Sequence, residues 1–261
     1  MNFFVADGVR LAYRIDGPDH APTIVMLNSL GTDLRMWDPQ VALLSHTLRI
    51  VRYDCRGHGS SDVPAGPYTL ERLGLDLLAL FDRLGIEQAY ICGLSLGGMV
   101  ALWFAASYPD RVVRAVFANT AARIGTQESW NARIEAVRTG GMRAVRDMAL
   151  ARFLSEGFRR KHPEVVRNLG EMLEATNPRG YMQACAALRE ADLRTALPVI
   201  HIPSLIIAGG LDESTPPLQA RELHAAISGS QLVVLREAAH LSNVEQPEEF
   251  SRAVLAFLVR L

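Results

Sequence analysis

The chain is poor in several things at once. Of its 261 residues only three are cysteines (Cys55, Cys92 and Cys185), an odd and scattered set. That excludes a disulfide framework and a cysteine metal cluster, and it leads us to expect a reducing, cytoplasmic setting. It has a single lysine, Lys161, in the basic stretch Arg159-Arg160-Lys161-His162, which reads as a solvated helix face. Lysine-based covalent chemistry therefore has one poor candidate. An excess of one charge is absent too: the net charge is −1, so no field of one sign steers nucleic acid or an anionic membrane to it. No apolar run is long enough to span a bilayer, and Met1–Asp7 lacks the basic and apolar regions of a signal peptide. No metal site or cofactor motif is expected.

What is present is a strand–helix alternation with a break. Val9–Ile15 alternates as a strand, and Thr23–Leu27 and Arg49–Tyr53 read as buried strands. Thr69–Leu84 reads as an amphipathic helix, Ala89–Cys92 as a strand, about 96–107 as a helix and Val112–Ala118 as a strand. The rhythm resumes with a strand at Ser204–Ala208, a helix at Pro217–Ala226, a strand at Leu232–Leu235 and a helix over Pro247–Leu261. This is the pattern of an α/β domain with a mostly parallel central sheet and helices on both faces. Residues 122–190 carry only helical patterns. We therefore expect a core formed by 1–121 and 191–261 and an inserted helical cap over 122–190. The cap has 12 Arg or Lys and 8 Asp or Glu, a net charge of +4, which leaves −5 for the rest. A basic cap suits an anionic ligand, although arginines on helix faces often only solvate them.

The chemistry concentrates at Gly93-Leu94-Ser95-Leu96-Gly97-Gly98, between a strand and a helix. Small residues on both sides let the strand and helix approach closely, with Ser95 held at the tip of a strained turn. The hydroxyl then sits beside a helix N-terminus whose free N–H groups can bind an oxyanion. A serine nucleophile needs a base, and the base an orienting acid. Of the seven histidines, His240 lies in the loop after the last strand. His58, in Arg56-Gly57-His58-Gly59, is the rival and reads better as a turn residue. Asp212 follows a buried strand, at the edge where open α/β sheets place their sites. Its neighbour Glu213 is expected to point elsewhere or to cap the next helix. One oxyanion donor should be the Leu96 N–H. The second should come from Asn28-Ser29-Leu30-Gly31-Thr32, assigned by position to the Leu30 N–H.

These stretches, with Asp54-Cys55-Arg56-Gly57-His58-Gly59-Ser60-Ser61-Asp62 and the order Ser95, Asp212, His240, resemble the α/β-hydrolases over essentially the whole chain. One departure stands out: most members carry His-Gly where this chain has Asn28-Ser29. The string Leu27–Trp37 is similar to that of the 3-oxoadipate enol-lactonases of aromatic catabolism. That resemblance implies a small anionic lactone as substrate, a place in the β-ketoadipate pathway and a bacterial cytoplasmic enzyme. A carboxylate on the substrate needs a partner. Trp130 and Arg133, spaced i, i+3, would share a helix face and offer an aromatic wall beside a guanidinium. Arg138 is the next candidate, and Ser29 is placed to touch substrate. A broad carboxylesterase, a cofactor-free perhydrolase and a C–C bond hydrolase could use the same triad. Dehalogenase and epoxide hydrolase chemistry is disfavoured because it uses Asp at the elbow. A non-catalytic receptor would be expected to have a damaged triad.

Overall fold

The structure, a computed structural model, describes residues 1–259. In chain order the elements are β1 (Asn2–Ala6), β2 (Val9–Asp16), β3 (Thr23–Leu27), α1 (Asp38–Leu44), β4 (Arg49–Tyr53), α2 (Leu70–Arg83), β5 (Ala89–Leu94), α3 (Leu96–Ser107) and β6 (Val112–Ala118). Five helices follow without an intervening strand: α4 (Gln127–Gly140), α5 (Arg143–Phe153), α6 (Glu156–Lys161), α7 (Pro163–Ala175) and α8 (Pro178–Glu190). The chain then forms β7 (Ser204–Gly209), α9 (Pro217–Ala226), β8 (Gln231–Leu235), α10 (Ser242–Glu245) and α11 (Pro247–Leu258). The last two positions of the helix expected over Pro247–Leu261 lie outside the described residues.

The eight strands form one sheet in the order β1-β2-β4-β3-β5-β6-β7-β8. β1 and β2 are antiparallel, β2 is antiparallel to β4, and all pairs from β4 to β8 are parallel. The central strands β3, β5, β6 and β7 are buried almost throughout, as strands covered by helices on both faces must be. β1 was not foreseen. Its signal was the pair Asp7-Gly8, which turns the chain with φ of 50° and 71°, the backbone of a tight two-residue hairpin.

Right-handed crossovers decide where the helices go. From β3 the chain moves to β4 on one side, and from β5 it moves to β6 on the other. The connections therefore lie on opposite faces, and the loops after β3 and β5 diverge from a crevice between neighbouring strands. Ligands bind at such a switch point in open α/β sheets. α2 packs on α3, while α1 packs on α11. The helices α4–α8 sit over this strand edge. Their docking is tight enough for Gly180 at the start of α8 to lie against Gly57, while Thr176 Oγ1 donates to the Gly31 carbonyl at 3.3 Å. No helix among the described residues is long and apolar enough to cross a membrane.

Candidate active site

Ser95 joins β5 to α3 with φ 58° and ψ −115°, a conformation an L-residue adopts only at a cost on the order of 1–3 kcal/mol. The surroundings hold it there. Its N–H donates to the Ala118 carbonyl at 3.0 Å, and its carbonyl accepts from Thr120 Oγ1 at 2.8 Å. Two glycines make the turn possible: a Cβ on Gly93 would overlap the Gly97 carbonyl, and one on Gly97 would overlap that of Leu27. α3 can then start directly against the end of β3, with the Gly97 N–H donating to the Asn28 carbonyl at 3.0 Å.

The loop after β3 is pinned from below. Asn28 Nδ2 donates to the Tyr53 carbonyl and its Oδ1 accepts from Trp37 Nε1, both at 3.0 Å. Asn28 thus ties the loop to β4 and to the turn before α1, a positioning role that short polar side chains fill well. Among the described residues the N–H groups of Leu30 and Leu96 have no protein acceptor. Both residues flank the Ser95 crevice. The Ser29 hydroxyl is also buried without a protein partner.

Asp212 follows β7 and is almost saturated with hydrogen bonds. Its Oδ1 accepts from the N–H groups of Ser214 (2.8 Å) and Thr215 (3.0 Å); its Oδ2 accepts from Thr215 Oγ1 (2.7 Å) and Asn119 Nδ2 (2.9 Å). The same oxygen lies 2.8 Å from His240 Nδ1. Burial pushes the Asp212 carboxyl pKa up, but the His240 ring beside it and the hydrogen bonds from His240, Asn119 and Thr215 outweigh burial and hold it at about 2. The carboxylate therefore stays ionised and fixes His240 with Nδ1 toward Asp212 and Nε2 toward the cavity. Phe153, the last residue of α5, stacks on the His240 ring at 6.1 Å between centroids and 17° between planes.

Asn119 was missed in the sequence. It has φ 44°, is almost fully buried, and donates to both Asp212 and the Ala239 carbonyl (3.2 Å) while accepting from Ser242 Oγ (2.5 Å). One side chain thus holds the acid and both flanks of the histidine loop. Glu245 does the same for the helical segment: it accepts from the Ala239 N–H (2.9 Å), the Ser155 N–H (3.0 Å) and Ser155 Oγ (2.7 Å).

Ser29, Leu30, Ser95 and His240 line one cavity of about 550 Å³, a size suited to a small organic ligand. Its roof comes from α4 and α5. Trp130 is buried, donating from Nε1 to the Ile124 carbonyl at 2.6 Å, and the Arg133 guanidinium lies 5.1 Å from the Trp130 ring centroid. Both reach the cavity. Arg138 does not. About 140° of helix rotation separates it from Arg133, and it forms a bidentate pair with Glu135 on the exposed face, at 2.7 and 2.9 Å. Arg152 on α5 takes its place in the cavity and was not foreseen, because only the packing of α5 against α4 brings positions 133 and 152 together. Among the described residues neither Arg133 nor Arg152 has a carboxylate within ion-pair distance; Arg133 hydrogen-bonds the Tyr181 hydroxyl. Burial lowers the Arg152 pKa and the nearby charge of Arg133 lowers it further, against the opposing pull of Glu213. Glu213 gives α9 no side-chain cap; it is exposed at the rim of the cavity. His58 stays out of it. The ring is buried, with Nδ1 3.3 Å from the Arg56 carbonyl, and burial pushes its pKa down to about 4. A second cleft of about 790 Å³, lined by Arg123, Glu128 and Glu222, adjoins this cavity at Gly125 and Thr126 but reaches neither Ser95 nor His240.

A model of the alpha/beta hydrolase fold matches residues 22–247. The chain belongs to the alpha/beta hydrolase family. This α/β hydrolase is 42% identical over 255 residues to 3-oxoadipate enol-lactonase 2 of Acinetobacter baylyi, across 98% of this chain and 95% of that protein. It is 43% identical to 3-oxoadipate enol-lactonase 1 of the same organism, over 96% of this chain and 94% of the relative. A solved structure, the enol-lactonase from Burkholderia xenovorans LB400, superposes with a TM-score of 0.97 at 44% identity, covering 99% of this chain and all of the other.

Proposed function

We propose that this α/β hydrolase opens 3-oxoadipate enol-lactone to 3-oxoadipate through an acyl-enzyme on Ser95. The observation that carries the reading is the two arginines without carboxylate partners, Arg133 and Arg152, over the same cavity as Ser95 and the Asp212–His240 pair. An anionic ester is what such a cavity accommodates. The relatives' names supply the particular lactone.

In this mechanism the substrate carboxylate meets the guanidinium groups, and the flat lactone ring lies against Trp130. Ser29, whose buried hydroxyl has no protein partner, takes a substrate oxygen. Ser95 Oγ attacks the ring carbonyl while His240 Nε2 accepts its proton. Asp212 stabilises the imidazolium and holds the ring's orientation. The oxyanion accepts from the N–H groups of Leu30 and Leu96, groups already oriented and without protein acceptors. The ring C–O bond then breaks. The departing oxygen is an enol, a better leaving group than an ordinary alkoxide, and it takes the proton from His240. Tautomerisation of the enol to the ketone removes the nucleophile that could re-close the ring. Water, deprotonated by His240, attacks the acyl-enzyme and frees Ser95. Residues 122–190 act as a cap that supplies the recognition surface. The three cysteines are free, which supports a reducing compartment, the cytoplasm.

The test is loss of the enol-lactone's ultraviolet absorbance set beside turnover of a neutral aryl ester. A lactonase turns over the lactone with the far higher kcat/KM, and Ser95→Ala abolishes both activities. A higher kcat/KM on the neutral ester would make the protein a general carboxylesterase instead.

A further inference from the structure

The charges around the cavity do not cancel. Three formally charged side chains line it: Arg133 and Arg152 from the helical roof, and Glu213 from the loop that carries Asp212. Their sum is one positive charge. Glu213 is exposed at the cavity rim, on the loop that carries Asp212 and one residue from the carboxylate that holds His240, and its charge acts on that of Arg152. Among the described residues neither arginine forms an ion pair with Glu213; Arg133 hydrogen-bonds the Tyr181 hydroxyl, which leaves its charge unneutralised.

That arrangement matters because the proposed reaction changes the charge of its ligand. The lactone is a monoanion. Hydrolysis adds water across the ester, and the new carboxylic acid loses its proton, so the product is a dianion. Its second carboxylate is created at Ser95, in the cavity that Glu213 borders. We propose that Glu213 is a specificity residue that matches the cavity to a monoanion and disfavours the dianionic product, thereby speeding product release. This inference rests on the lactonase reading for its physiological meaning. Its physical content, discrimination between singly and doubly charged acids of one length, stands independently. A cavity with both arginines and no Glu213 would hold the dianion most tightly and be inhibited by its own product. One like charge several ångströms from the new carboxylate, in a partly solvated cleft, weakens its binding by about five-fold.

The experiment measures binding of hexanoate and adipate, equal in length and differing by one carboxylate, to the full-length wild type and to Glu213→Gln by calorimetry at low ionic strength. Glu213→Gln is expected to tighten adipate about five-fold relative to hexanoate. Glu213→Asp, which keeps the charge, should leave the ratio near the wild-type value and shows that the loop tolerates substitution. Raising the salt should shrink the difference. An unchanged adipate-to-hexanoate ratio in Glu213→Gln overturns the proposal, and so does failure of the wild type to bind either acid. In turnover, inhibition of lactone opening by 3-oxoadipate should strengthen in Glu213→Gln more than KM falls. If the wild type does not open the lactone, the lactonase reading fails while the binding ratio still judges the role of Glu213.

Discussion

The floor and the roof of the cavity are built by opposite rules. On the floor, Asp212 accepts four hydrogen bonds besides the one it shares with His240, Asn119 is held by three partners, and Ser95 is locked by its own backbone. Asp212 and Asn119 are satisfied there, while the Ser29 hydroxyl and the N–H groups of Leu30 and Leu96 remain open beside Ser95. On the roof, Arg133 and Arg152 project without carboxylate partners from helices that meet the floor at a few points, Glu245 and Thr176 among them. A preorganised floor lowers a transition-state barrier because nothing has to reorient during reaction. In the proposed reading, a roof whose charge has no carboxylate partner selects ligands, and it can change without disturbing the floor. One relative family can therefore host many substrates.

The comparison breaks most visibly through the floor. Asp212→Asn should lower kcat by about 10⁴-fold, because the histidine loses both its orientation and the charge that stabilises the imidazolium. Rapid-quench or steady-state kinetics would show it, with KM changing little. A loss below ten-fold would mean that Thr215 and Phe153 orient His240 without the carboxylate. The roof should respond differently. Arg133→Ala should raise KM for the anionic lactone by about 10- to 100-fold, the worth of a charge-assisted hydrogen bond. Hydrolysis of a neutral aryl ester should change far less. Equal effects on both substrates would show that Arg133 only supports Trp130.

The smallest effect sharpens the comparison outside the cavity. Near the base of the helical segment, His58 and Asp54 are both buried and titrate in opposite senses. Burial pushes His58 down to about 4, so the folded state resists protonation that the unfolded chain accepts near its ordinary value, and stability falls as pH drops from about 6.5 to 4. Burial pushes Asp54 up to about 6, despite hydrogen bonds from the Ser60 and Leu34 N–H groups. The folded state then binds a proton before the unfolded chain does, and stability rises as pH drops from about 6 to 4. The two nearly offset. Denaturant unfolding of the wild type should thus vary little between pH 4.5 and 6.5. His58→Gln should leave the Asp54 slope alone, making the protein more stable at pH 4.5 than at 6.5, by on the order of 1 kcal/mol. No slope in the variant would sink this account.

How far the sequence carried the reading varies by element. The strands of the parallel sheet were legible because each is a short apolar run beside a helical pattern. Only the β1 hairpin escaped, although Asp7-Gly8 marked it. Ser95 was legible because glycines at 93 and 97 have a steric reason to be there. Asn119 and Phe153 were not: an asparagine after a strand and a phenylalanine ending a helix look ordinary until His240 and Asp212 are placed beside them. Arg138 and Arg152 show the same limit on the roof. Both are arginines on helices of the inserted segment, and one forms a surface pair with Glu135 while the other enters the cavity.

By itself the sequence determined what local chemistry can determine: the alternation that makes a parallel sheet, the glycines that permit the Ser95 turn, and the residue types able to serve as nucleophile, base and acid. Those follow from backbone sterics and from side-chain periodicity, which act over a few residues. Tertiary structure decided what depends on distance between remote segments. It placed Arg152 near Arg133, brought Glu213 to the rim of the same cavity, set Asn119 against Asp212, and joined the roof to the histidine loop through Glu245. Coulombic coupling and hydrogen bonding depend on separation in space, and separation in space between residues 133, 152 and 213 is set only when the sheet and its helices pack.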